Sequence, residues 1–141
     1  MRIFLSIPVP NVVKNIKQML ISTCENERVE IRWVKHNNLH LTAQFLGLAS
    51  YEKVDEIRKE VENVVCSINP FVLTVYETGC FPNKSKPSVL YLGVGGNIEA
   101  LNALVMKIND KMSQNDFRRN ARFHTNLKLS RKMKFVLVFL C

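Results

Sequence analysis

The chain has 141 residues, which is near the commonest size of a single domain and leaves no room for a second hydrophobic core. Apolar residues make up 47% and charged residues 23%, with only five glycines and five prolines, so the composition excludes disordered and fibrous proteins. The formal net charge of +8 favours a polyanionic partner, because lysine and arginine raise both the encounter rate and the affinity for phosphates.

The cysteines and the N-terminus indicate the compartment. The four cysteines form no C-x-x-C pair, so we expect reduced thiols and neither a zinc knuckle nor a disulfide framework. Pro8 and Pro10 interrupt the N-terminal apolar stretch, which is unlike a signal peptide, and no run approaches the ~18 apolar residues of a membrane span. A soluble cytoplasmic protein is predicted.

The periodicity of apolar residues predicts the elements. In chain order these are a strand at 2–9, a helix at 10–24, strands at 30–35 and 39–46, a helix at 51–68, strands at 71–76 and 88–94, a helix at 98–112, and strands at 122–130 and 134–140. His36-Asn37-Asn38 is a turn-forming cluster, residues 81–87 form a loop, and Ser50 is placed to cap the second helix. Paired strands between helices indicate antiparallel pairing and an α+β fold.

Residues 39–45 are the first candidate site. Strict alternation along a strand assigns two faces, one with His40, Thr42 and Gln44, and one with Leu39, Leu41, Ala43 and Phe45. The apolar face is expected in the core. The polar face then carries an imidazole and a hydroxyl ~6.5 Å apart, so both can contact one phosphate. Histidine exchanges protons near neutral pH and threonine donates a hydrogen bond to a phosphoryl oxygen.

Three stretches carry a resemblance to a known family. They are Ile31-Arg32-Trp33-Val34-Lys35 with Asn38-Leu39-His40-Leu41-Thr42 and Phe45-Leu46-Gly47, the opening Met1-Arg2-Ile3-Phe4-Leu5-Ser6-Ile7-Pro8, and Gly79-Cys80-Phe81-Pro82-Asn83 with Lys86-Pro87-Ser88-Val89-Leu90-Tyr91-Leu92-Gly93-Val94. Together they resemble the 2H phosphoesterases, in particular the RNA 2′,3′-cyclic phosphodiesterases once named 2′-5′ RNA ligases. The resemblance runs from Met1 to about Arg131.

The resemblance implies a 2H phosphoesterase-like fold, with two similar lobes of antiparallel strands and helices packed outside, around a central cleft. Each lobe supplies one H-x-T motif, so residues 1–141 are expected to form one domain. One histidine activates water and the other protonates the leaving ribose oxygen, without metal or cofactor. The implied substrates are RNA ends or small cyclic-phosphate nucleotides, the implied products carry a 2′-phosphate, and the same site can act on 2′-5′ linkages. We expect a monomer. Phe45 is expected among the substrate-binding residues.

The second motif departs from the family pattern. Where the family has Phe-x-Pro-His-x-Thr-Leu-x-Arg, this chain places Asn126 at the histidine and Lys128 at the threonine, whereas Phe123, Leu129 and Arg131 match. Each departure corresponds to one C-to-A codon change, which is compatible with decay, natural variation or a sequence error. The chain also ends about ten residues after Arg131, whereas family members usually continue, so an abbreviated second lobe is expected.

The residues of this second motif differ in what they can do. Asn126 cannot exchange a proton at neutral pH, which removes help worth ~10²–10⁴-fold. His124 shares its strand face but lies ~6.5 Å away, so we place it at the cleft rim, with substitution for the lost histidine as the alternative. Lys128 either binds phosphate or is a solvated strand residue. Arg131 matches a family residue that contacts phosphate, or else pairs with a carboxylate.

The C-terminal segment is basic. From Phe117 onward there are seven lysines and arginines and no acidic residue. This segment is either a phosphate-facing patch or a solvated face near a terminus.

Two functions remain open from the sequence: an RNA phosphodiesterase that uses His40 with Thr42, and a non-catalytic RNA- or nucleotide-binding domain derived from the same family. Asn126 is the residue that divides them.

Overall fold

The computed structural model describes residues 1–24, 31–81, 89–118, 123, 126–128 and 138–139. Its elements are β1 (Arg2–Pro8), α1 (Asn11–Cys24), a short 3-10 helix (His36–Asn38), β2 (His40–Leu48), α2 (Tyr51–Cys66), β3 (Leu73–Phe81), β4 (Val89–Gly96), α3 (Ile98–Ser113), β5 (Asn126–Lys128) and β6 (Val138–Phe139). The α+β class predicted from the sequence is confirmed.

The strands form two three-stranded sheets. The first has the order β2-β1-β6 and the second the order β3-β4-β5. The β1–β2, β3–β4 and β4–β5 pairs are antiparallel, as predicted, but β6 is parallel to β1. The prediction of antiparallel pairing was wrong for β6 because consecutive strands favour antiparallel pairing only within one sheet. Here β5 and β6 belong to different sheets.

The core lies between the helices and one face of each sheet. Helices α2 and α3 are in contact, and α3 also contacts β2. Buried apolar side chains come from both sheets and from the inner faces of the helices, including Ile3, Leu5, Leu41, Ala43, Ile57, Val61, Leu92, Val94, Leu101, Val105, Ile108 and Met112. The Ser50 hydroxyl accepts a hydrogen bond from the Lys53 amide at 3.3 Å, so Ser50 caps α2 as predicted.

Several elements differ in extent from the sequence prediction. In the predicted strand 30–35, only Trp33 forms a β-bridge among residues 31–35. This segment is instead held by α1, because the buried Lys17 donates a hydrogen bond from Nζ to the Val34 carbonyl. Strand β2 continues through Gly47, whose φ of 87° suits glycine. Strand β3 extends to Phe81, so the predicted loop begins at least one residue later.

Burial has an electrostatic consequence at Lys17. Its side chain is among the most buried polar groups of the described residues, and desolvation lowers its pKa below 10.5. None of the described helices is long and apolar enough to cross a membrane.

Candidate active site

His40 is the first residue of β2 and is oriented by the turn before it. Its Nδ1 lies 2.6 Å from the carbonyl oxygen of Asn38, the last residue of the 3-10 helix. A carbonyl only accepts hydrogen bonds, so Nδ1 carries a proton, and Nε2 is the nitrogen that accepts when the ring is neutral. The ring is half-buried and packs against Phe4, with centroids 5.0 Å apart. The imidazole is therefore fixed in a tautomer suited to proton exchange at Nε2.

Thr42 lies two residues further along the same strand. The register of the β1–β2 pair places Pro8 opposite His40 and Ser6 opposite Thr42. Directly opposed residues of an antiparallel pair share a face, so Ser6 belongs to the same surface as Thr42. The Ser6 hydroxyl is fully buried and has no hydrogen-bond partner within the described ranges. Sequence patterning gave no signal for this second hydroxyl beside the predicted site.

Beyond Thr42, β2 is irregular. Ser6 opposes Thr42, but Leu5 opposes Gln44, so Ala43 is an extra residue on β2. An extra residue of this kind is a β-bulge, and it reverses the alternation of side chains that follow it. A second register shift occurs between Ile3 and Phe4.

The bulge moves Phe45 to the face of His40. Phe45 opposes Phe4, and the Phe4 ring contacts both rings, at 5.0 Å from His40 and 5.8 Å from Phe45. Gln44 opposes the core residue Leu5, is fully buried, and its amide group has no hydrogen-bond partner among residues whose side chains are described. The sequence assignment of Gln44 to the polar face and Phe45 to the apolar face was wrong, because alternation fails at a bulge.

The second motif occupies the corresponding place in the second sheet. In the β4–β5 pair, Gly93 is opposite Asn126 and Tyr91 is opposite Lys128, just as Pro8 and Ser6 stand opposite the first motif. Strand β5 is also in contact with β2. The backbone therefore brings residues 126 and 128 next to the strand of His40. His124 and Arg131 lie outside the described residues.

Within the described part of the chain, no group of three or more histidine, cysteine, aspartate or glutamate side chains is placed to hold a metal ion. The groups on the strand face that carries His40 are an oriented imidazole, the half-buried Thr42 and the exposed Phe45 ring, with the Ser6 hydroxyl buried beside them. An imidazole with an accepting Nε2 can take a proton from water or, once protonated, return it to a leaving oxygen. The neighbouring hydroxyl can donate to a phosphoryl oxygen.

The sequence matches the family model of the LigT like phosphoesterases over residues 7–91. The chain belongs to this family. The match includes the first motif and ends at Tyr91 within β4, before β5. The RNA 2′,3′-cyclic phosphodiesterase of Methanocaldococcus jannaschii is 31% identical over 137 residues, which are 96% of this chain and 73% of that protein. The protein of the same name from Thermotoga maritima is 30% identical over 93% of this chain and 70% of its own length.

Solved structures share the fold of this chain. The crystal structure of E. coli LigT in apo form superposes with a TM-score of 0.73 at 22% identity, covering 96% of this chain and 74% of that one. The E. coli LigT complex with 3′-AMP gives 0.68 at 22% identity, covering 89% and 68%. The Thermus thermophilus protein TT0787 gives 0.77 at 18% identity, covering 96% and 76%. The family and fold predicted from the sequence are confirmed.

Proposed function

We propose that this chain is an RNA 2′,3′-cyclic phosphodiesterase that hydrolyses the cyclic phosphate at RNA ends. The observation that carries the proposal is the oriented His40 ring, whose Nδ1 is held by the Asn38 carbonyl beside Thr42 on the same strand. Relatives at 30–31% identity bear this name, and an E. coli LigT of similar fold was solved with 3′-AMP. Both findings favour RNA or a nucleotide as the ligand of this chain.

In the proposed reaction, water attacks phosphorus, the bond to the ribose O3′ breaks, and the phosphate remains on O2′. One proton leaves the attacking water and one is delivered to O3′. His40 carries one of these two transfers through Nε2. Thr42 donates a hydrogen bond to a phosphoryl oxygen, and Lys128 and Arg131 add positive charge. Asn126 can hold an oxygen by hydrogen bonding but cannot exchange the second proton, which is exchanged with bulk water instead, so turnover is slower than with two histidines.

The proposal includes the architecture and surroundings of the site. The chain forms one two-lobed domain, with the first motif at 40–42 and the second at 126–128. It acts as a monomer in the cytoplasm without metal. His124 is assigned to the cleft rim, and Phe45 is assigned to the substrate because it shares the face of His40.

The test is hydrolysis of a short RNA that ends in a 2′,3′-cyclic phosphate, in the presence of EDTA. We expect products that coelute with the 2′-phosphate standard and not with the 3′-phosphate standard. An RNA that binds but keeps its cyclic phosphate would instead identify a binding domain. A reaction that EDTA abolishes would refute the metal-independent mechanism.

A further inference from the structure

The open face of the second sheet carries three aromatic side chains. Leu92 and Val94 are buried in the core and Leu90 packs against it, so these alternating residues of β4 face the core and Tyr91 lies on the opposite face. Its cross-strand partner is Gly79, and Phe81 lies two residues along β3 from that glycine. Tyr76 is 66% exposed and Phe81 is 45% exposed. We call Tyr76, Phe81 and Tyr91 the aromatic face.

Glycines beneath the aromatic face leave room for its rings to lie directly against the strands. A Cβ added at Gly79 would clash with Cζ of Tyr91, and one added at Gly93 would lie 3.0 Å from Cζ of Tyr76. Each ring therefore occupies the space that a side chain would otherwise fill. The rings of Phe81 and Tyr91 are in contact, with centroids 4.9 Å apart and planes inclined by 34°. Rings fixed in this way lose little conformational entropy when a ligand stacks on them.

A purely structural role explains only part of this arrangement. An aromatic ring that covers a cross-strand glycine stabilises a sheet, which accounts for Tyr91 over Gly79. That role does not require Phe81 to present nearly half of its surface to solvent, nor Tyr76 about two thirds. Exposed rings on a sheet are the usual surface on which proteins stack the bases of single-stranded RNA.

The aromatic face adjoins the strand of the second motif. Tyr91 is opposite Lys128 and Gly93 is opposite Asn126, so the second motif is the next strand of the same surface. Strand β5 in turn contacts β2, which carries His40 and Thr42. The chain carries a net charge of +8, which suits a polyanion with several phosphates better than an apolar peptide.

We propose that the aromatic face stacks the bases of a single-stranded RNA whose end lies at His40. This inference rests on the proposed function and adds to it a substrate class, an oligonucleotide with unpaired bases next to its end. Stacking tolerates any base, because every base has a π face, so the preference is for unpaired RNA over duplex and not for a sequence.

The experiment compares two single-stranded RNAs of equal length and charge, one with all its bases and one abasic except at its last nucleotide. Tyr76→Leu and Phe81→Leu keep an apolar side chain but remove the ring. Each should weaken binding of the base-containing RNA by about 5-fold to 100-fold and leave the abasic RNA unchanged. Tyr76→Phe should retain wild-type affinity. The salt dependence should stay the same, because no phosphate contact is lost.

Tyr51→Ser is the matched control, since Tyr51 is a 78% exposed tyrosine at the start of α2, away from the aromatic face. If Tyr76→Leu and Phe81→Leu bind the base-containing RNA as tightly as this control does, the inference is overturned. The exposed rings would then serve a protein partner or the stability of the sheet. Equal weakening for both RNAs would also overturn it. Wild-type turnover of a cyclic mononucleotide is measured separately, because its absence would refute the proposed function and not the stacking.

Discussion

Restoring the second motif should raise turnover. Asn126 stands opposite Gly93 as His40 stands opposite Pro8, and Lys128 stands opposite Tyr91 as Thr42 stands opposite Ser6. Asn126→His with Lys128→Thr therefore places an imidazole and a hydroxyl at positions equivalent to the first motif, on a strand that contacts β2.

The expected gain is about 100-fold in kcat, the low end of the range for a positioned acid or base. His40 is oriented by the carbonyl two residues earlier, and the equivalent position in the second motif is 124, outside the described residues. The low end applies because no orienting partner for the new imidazole is described. A second titrating group should also turn the pH profile of kcat/KM into a bell.

The assay is steady-state hydrolysis of a 2′,3′-cyclic mononucleotide between pH 5 and 9, alongside thermal melting. Lys128→Thr alone is the control, and it should give neither the gain nor the bell because it adds no proton-exchanging group. A double variant that melts like the wild type but gains no turnover would refute the equivalence of the two motifs.

Three further predictions concern stability and binding. Ile108→Ala should lower the free energy of unfolding by about 2–5 kcal/mol in urea titrations because Ile108 is 0% exposed, whereas Met106→Ala, on the same helix but 67% exposed, should change it by less than about 0.5 kcal/mol. Burial lowers the pKa of Lys17 below 10.5, so the unfolded chain binds more protons and wild-type stability should rise as pH approaches 10.5. Lys17→Met should lack that rise, and an identical pH dependence in both proteins would contradict the desolvation. Arg131→Ala should lower the slope of log affinity for single-stranded RNA against log salt by about 0.7, whereas an unchanged slope with a lower melting temperature would make Arg131 structural.

Local patterns predicted most of the fold. The 3.6-residue periodicity of α2 and α3 and the apolar strands β1 and β4 are properties of short stretches, so the sequence was sufficient to place them. The pairing of β6 with β1 depends on contacts between distant segments, which no local pattern encodes. The same holds for residues 31–35, where the hydrogen bond from Lys17 replaces strand pairing.

The candidate site was predicted in part. The H-x-T spacing placed His40 and Thr42 together, and the turn-forming residues before them marked the place where the Asn38 carbonyl orients the ring. The reversal of Gln44 and Phe45 was missed because a bulge is set by the register with β1 and not by β2 alone. The rings over Gly79 and Gly93 were missed because cross-strand neighbours cannot be identified before the register is known.

The most direct test of the account is the loss of turnover on removal of the His40 imidazole. His40→Ala should lower hydrolysis of a 2′,3′-cyclic phosphate by about 100-fold or more, because alanine neither takes nor gives a proton. His36→Ala is the matched control, since His36 is an exposed histidine four residues earlier in the 3-10 helix. We expect this control to keep the wild-type rate. A His40→Ala variant that folds and hydrolyses the cyclic phosphate at the wild-type rate would contradict the central claim.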